Sequence, residues 1–243
     1  MILPQVDLEI FSQPDRIGRL DEAEKLAAQA VGDYPEDGRL RLIQGLIRHR
    51  LRDFPGARSA LESAARLAPL EPSVRSILAD CFARTGGTRE AAGIYRTLAA
   101  DDCCPISLLP AIASGLGDLG EYEAALDACR DIIRRDPGHH QAHFGVAFYL
   151  RRLGQPPQEV LPAVIRAHEL APDEWLYRVS VAVLLDAGGF REEACDLLRG
   201  INPCAAPCRC SLRKVTEIFL ATDELRTQAI FRPRAAVPQP AIA

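Results

Sequence analysis

The sequence predicts an all-α solenoid of about six stacked helix pairs, closed by a C-terminal capping helix. Three rows of residues carry that prediction. Small residues recur at Ala23, Ala57, Ala91, Ala125, Val160 and Ala194, at spacings of 34, 34, 34, 35 and 34. A second row, Phe11, Gly45, Ala79, Ala113, Ala147 and Ala182, lies 12 residues before the first in every repeat but the fifth. There the turn Gln155-Pro156-Pro157-Gln158 adds one residue. A third row, Ala30, Ala64, Leu98, Ile132, Ala167 and Ile201, follows the first by seven residues, two helical turns along the same face. Self-similarity at this period marks a chain of helix pairs that bury their apolar faces only by stacking on their neighbours.

The elements follow in order. Pro14 interrupts the first helix of repeat one, so that repeat is expected to be a partial cap whose second helix runs near residues 21–33. Helices are then expected near 39–50 and 55–67, 73–84 and 89–100, 107–117 and 123–135, 141–152 and 158–170, and 175–187 and 191–200. Gly18, Gly86, Gly120, Gly154 and Gly189 mark the turn inside a pair, because glycine supplies the positive φ that ends a helix. Pro35, Pro69, Pro137 and Pro172 close the second helices. Pro110 and Pro162 fall inside or near helix starts, where each shortens or kinks its helix. After Pro203 comes a cysteine-rich loop, then a segment capped by Ser211 in which Leu212, Val215, Ile218, Phe219 and Leu225 share one face. The domains read from this are a repeat array over 1–203, the loop and capping helix over 204–231, and a mobile tail over 232–243.

The pattern resembles the tetratricopeptide repeat family. The resemblance is strongest in Gly120-Glu121-Tyr122-Glu123-Ala124-Ala125-Leu126-Asp127-Ala128-Cys129, with Asp136-Pro137 closing the unit, and it covers residues 4–203. The chain departs from the family in lacking its early tryptophan, and Arg52 and Cys103 stand where a turn glycine and a closing proline are expected. The resemblance implies a right-handed superhelix with a concave face lined by the first helix of each pair, a surface for a peptide or helix of a partner protein.

In that register the exposed first-helix positions are Arg39, Leu42, Leu46, His49 and Arg50 in repeat two, and Ile77, Asp80, Ala83 and Arg84 in repeat three. Ser107, Ala111, Ser114 and Asp118 follow in repeat four, and Gln141, Phe144, Phe148, Arg151 and Arg152 in repeat five. Arginines at the ends of first helices, with Phe144 and Phe148 beside them, suit an acidic or amphipathic peptide. The same arginines also compensate the negative C-terminal ends of their helices. The family's Lys/Asn clamp for chaperone tails is missing: Leu42, Leu46, Ile77, Ser107 and Ala111 occupy its positions.

Other constellations carry weaker signals. Cys204, Cys208 and Cys210 form a C-x3-C-x-C cluster able to offer three thiolates to zinc. The spacing is neither that of a zinc ribbon nor that of a haem site, so free loop thiols are expected and a small metal or redox protein is the alternative reading. His139 and His143 stand one turn apart without the intervening acid of a zinc protease, and the expectation is again no metal. Cys81, Cys129 and Cys195 read as small buried hydrophobes. There is no phosphate-cradling glycine loop and no nucleophile elbow, so neither an enzyme nor a bound cofactor is expected.

Composition bounds the rest. A hydrophobic fraction of 48% and a charged fraction of 26% are those of a folded, water-soluble chain. The net charge of −4 gives no positive field for nucleic acid. No apolar run approaches the roughly 20 residues of a membrane-spanning helix. The amino terminus lacks an export signal, so a cytoplasmic site with reduced thiols is expected. The reading is therefore a scaffold or adaptor that binds another protein, with self-association through the end repeats as a further possibility.

Overall fold

The computed structural model describes residues 17–199 and 215–218, and among these every regular element is a helix. The helices are α1 (Ile17–Asp33), α2 (Gly38–Arg50), α3 (Phe54–Leu67), α4 (Pro72–Arg84), α5 (Thr88–Ala99), α6 (Leu109–Asp118), α7 (Tyr122–Arg135), α8 (His140–Arg152), α9 (Pro157–Leu170), α10 (Trp175–Ala187) and α11 (Arg191–Leu198). A 3-10 turn, Ile106–Leu108, leads into α6. Their boundaries fall within a few residues of those read from the sequence.

Local chemistry sets the ends. The Asp37 carboxylate caps α2 by accepting from the Arg39 N–H at 2.8 Å, and Asp53 caps α3 by accepting from the Gly56 N–H at 3.0 Å. Gly86, Gly120, Gly154 and Gly189 all have positive φ, as the turn inside each pair requires. Arg52 takes the same left-handed conformation at φ 62° although it carries a Cβ, so the backbone of repeat two is held in the family's turn without the family's glycine.

From repeat two onward the described members of the predicted rows are buried in the core, whereas Ala23 and Ala30 of repeat one are half-buried and Ala27 takes the core position of α1. Ala57, Ala91, Ala125, Val160 and Ala194 are inaccessible to solvent, and Ala79, Ala113, Ala147 and Ala182 are buried opposite them. The reason for small residues is visible at Gly45, where a Cβ would stand 2.6 Å from Leu61 Cγ: only glycine lets α2 lie this close to α3.

One local expectation is corrected, and two prolines find their places. α1 begins at Ile17, so Gly18 lies in its first turn and does not mark a turn between helices. Pro110 sits at the start of α6, and the preceding residues form the 3-10 turn, because proline fits the first helical turn where its missing N–H costs nothing. Pro162 lies inside α9, yet the helix continues to Leu170, since Val160, Val164 and Ala167 bury its inner face on both sides of the proline.

The chain divides into two compact units, Met1–Ala128 and Cys129–Ala243, the division falling within α7. The core of the first gathers Ala57, Leu61, Val74, Leu78, Cys81, Phe82 and Ala91. In the second, Val179, Ala182, Ala194, Cys195 and Leu198 form a cluster with Val215 and Ile218, the described part of the expected capping segment. Phe11, Pro14, Ile201, the cysteines Cys204, Cys208 and Cys210, and the tail over 232–243 lie outside the described residues.

Candidate functional site

In the first unit, α2 and α4 present one face to a common trough. Arg39, Leu42, Leu46, His49 and Arg50 fall on one side of α2 because residues three, four and seven apart share a helix face. With Val74 and Ile77 of α4 they line a cavity of about 480 Å3. Its walls are aliphatic: Leu42, Leu46 and Ile77 are each half-buried. The floor is continuous with the core, since Leu42 and Ile77 also pack against the cluster around Leu61 and Leu78.

Charge lies at the rim. His49 Nε2 donates to Asp80 Oδ2 at 2.9 Å, and Arg84 Nε donates to Asp80 Oδ1 at 2.9 Å, so one carboxylate ties α2 to α4 and also holds the Arg84 guanidinium. Its hydrogen bond and charge hold the Arg84 proton more firmly than in a free guanidinium. Arg84 also lies over the Phe54 ring at 4.7 Å, and His49 meets the same ring edge-on. Arg84, expected from the sequence as an exposed arginine at a first-helix end, is therefore already paired. Arg39 and Arg50 differ: both are exposed, and among the described residues neither side chain has an acidic partner. Glu71 adds one negative group to the rim.

In the second unit the corresponding face is aromatic. The Phe144 ring of α8 lies 4.8 Å from that of Tyr177 on α10, and His140 shares a 2.9 Å hydrogen bond with the Tyr177 hydroxyl. Phe148 remains 48% exposed beside Tyr149, and Arg151 and Arg152 are exposed at the helix end. The repeat spacing relates the two faces. Shifts of 102 or 103 residues carry Leu42 to Phe144, Leu46 to Phe148, Val74 to Tyr177 and Ile77 to Ser180. Tyr177, Val74, Phe54 and His140 were not singled out from the sequence, though that arithmetic finds the first two. The repeat-four positions Ser107, Ala111, Ser114 and Asp118 are exposed as expected.

The remaining candidates take local roles. His139 caps α8, its Nδ1 accepting from the Ala142 N–H, and His143 donates from Nε2 to the Pro137 carbonyl. Among the described residues no cluster of three potential ligands is placed to hold a metal. Burial pushes the Cys81 and Cys129 thiols up to about 12, as expected of core cysteines. Among the described residues no helix is long and apolar enough to cross a membrane.

Comparison with known proteins gives the following. A family profile for the tetratricopeptide repeat matches residues 15–72, 48–105 and 111–174. Among solved structures, the C-terminal part of a TPR repeat-containing protein from Cytophaga hutchinsonii aligns with a TM-score of 0.69 at 11% identity, covering 87% of this chain and 86% of that one. YrrB, described as a TPR protein with an unusual peptide-binding site, aligns at 0.57 and 15% identity, covering 82% of this chain and 97% of its own. MamA from Desulfovibrio magneticus, residues 41 to the end, aligns at 0.57 and 14% identity, covering 76% and 97%. At these identities the likeness is one of fold. No curated protein matches the chain in sequence.

Proposed function

Because this chain belongs to the tetratricopeptide repeat family, we propose that it is a protein-interaction scaffold that holds a partner polypeptide against its first-helix faces. The observation that carries the reading is the aliphatic trough of about 480 Å3 between α2 and α4, at the positions where the repeat register puts a binding face. Leu42, Leu46 and Ile77 supply apolar anchorage. Arg39 and Arg50, free of acidic partners among the described residues, supply orientation toward a partner bearing carboxylates. The partner is accordingly an acidic or amphipathic peptide. YrrB, described as a TPR protein with an unusual peptide-binding site, supports the same class of ligand. The cytoplasm is the compartment this reading fits, with Cys81, Cys103, Cys129 and Cys195 as reduced thiols among the described residues.

The test is affinity capture with wild-type protein beside an Arg39→Glu/Arg50→Glu variant, followed by titration of the captured partner against both. Loss of the partner with the variant, at unchanged circular dichroism, supports the trough as its site. Equal affinity for both proteins would remove the trough from the reading.

A further inference from the structure

The spacing of charge along the trough selects the shape of what fills it. The α2 wall runs Arg39, Leu42, Leu46, Arg50: one cation, two aliphatic side chains, a second cation. Eleven residues make about three helical turns, so Arg39 and Arg50 fall on one side of α2, about 16 Å apart along its axis. Neither has an acidic partner among the described residues.

The opposite wall limits where negative charge can go. His49 lies near the end of α2 and meets Asp80 in the second half of α4, so the two helices run in the same direction. Glu71, which precedes α4, therefore stands at the Arg39 end and repels a carboxylate on the α4 side. Asp80, at the Arg50 end, is already held by His49 and Arg84. The acidic groups of a ligand thus belong on its α2 side, one at each end, with apolar groups between them.

Two backbones can be set against that demand. In an extended strand only every second residue shares an edge, so same-edge carboxylates stand about 13 Å apart at i and i+4, or about 20 Å apart at i and i+6. The five-residue step that comes near 16 Å puts them on opposite edges. In a helix, positions i, i+4, i+7 and i+11 form one stripe whose ends are about 16 Å apart. Of the two, the helix matches the pitch of Arg39, Leu42, Leu46 and Arg50, because it repeats the geometry of α2 itself.

We propose that the trough takes a single α-helix of a partner protein, lying alongside α2, whose inward stripe carries carboxylates at i and i+11 and aliphatic side chains at i+4 and i+7. The aliphatic pair rests on Leu42, Leu46 and Ile77, and the carboxylates meet Arg39 and Arg50. The inference rests on the trough being a peptide site and adds the conformation and residue pattern of what binds there.

The experiment uses the full chain and three synthetic Ala-rich peptides of about 18 residues, long enough to hold a helix. The first carries Glu at i and i+11 with Leu at i+4 and i+7. The second moves the later Glu to i+9, on the far side of the helix, and the third is the first with Pro at i+6, which breaks the helix. Fluorescence anisotropy is expected to show the first binding about tenfold tighter than either of the others, with that advantage lost on Arg39→Glu/Arg50→Glu. A photoreactive p-benzoylphenylalanine replacing the Leu at i+7 should link to Leu42, Leu46 or Ile77. Equal or tighter binding of the proline peptide, still weakened by Arg39→Glu/Arg50→Glu, would overturn the helix and leave the trough as a site for an extended peptide. Links of the first peptide outside α2 and α4 would remove helix and trough together. No binding of the first peptide would overturn the residue pattern, whereas the trough is tested separately by titration of the captured partner.

Discussion

The α2/α4 face and the α8/α10 face occupy equivalent places in the repeat and present opposite chemistry. In the first, Leu42, Leu46, Val74 and Ile77 line a cavity of about 480 Å3. In the second, the rings of Phe144 and Tyr177, at the positions of Leu42 and Val74, meet at 4.8 Å. The polar ties differ too. His49 reaches Asp80 across α2 and α4, whereas three repeats onward Arg151 corresponds to His49 and Val183 to Asp80, so no such tie forms between those positions. The lesson is that the buried rows fix where a face stands, and the larger residues between them decide whether it is open or closed.

The frame shared by both faces is where the largest effects are expected. Leu61 is fully buried against Gly45, and Leu61→Ala should cost about 3 kcal/mol by leaving a cavity that rigid helices cannot close. Urea unfolding followed by circular dichroism measures it. The comparison itself is tested by Tyr177→Val, which places in the second unit the residue found at the equivalent position of the first. It removes the Phe144 stack and the His140 hydrogen bond, and should cost about 2 kcal/mol while opening a trough that accepts an environment-sensitive apolar dye. An unchanged stability and no dye binding would show that the aromatic filling is not what closes this face.

A smaller effect separates the two faces in binding. Arg39→Glu/Arg50→Glu should weaken an acidic partner by about tenfold, equivalent to about 1.4 kcal/mol, whereas Arg151→Glu at the aromatic face should change it much less. Titration calorimetry in low and moderate salt distinguishes them, since only the first pair should flatten the salt dependence. The smallest effect concerns the turn. Arg52 and Gly154 are equivalent, with φ of 62° and 76°. Arg52→Gly should stabilise by about 0.5 kcal/mol, the relief of left-handed strain exceeding the added unfolded-state entropy, and Gly154→Arg should destabilise by about 1 kcal/mol. Equal signs for the two substitutions would break the equivalence of the repeats.

Much of the fold was legible because the period is a packing requirement. A residue such as Ala57 or Ala91 must be small wherever two helices touch, so contact points in space become evenly spaced letters in the chain. The turn glycines were legible for a similar reason, and Arg52 shows that the turn survives when its residue does not favour it, because the helices on both sides impose it. The candidate face was legible by position only. Arg39, Leu42, Leu46, His49, Arg50 and Ile77 were expected to face one side, and they do.

By itself, then, the sequence determined the all-helical repeat, most of the buried rows and the side chains that share one first-helix face in repeats two to five, since these follow from periodicity and a helix has only one geometry. What only the tertiary structure decided is how side chains from different helices meet. The pairing of Arg84 with Asp80, the meeting of Phe144 and Tyr177, and the opening left between Leu46 and Ile77 all join residues that are distant in the chain. No local pattern encodes such meetings, because each depends on the volume and charge of neighbours that folding alone brings within reach.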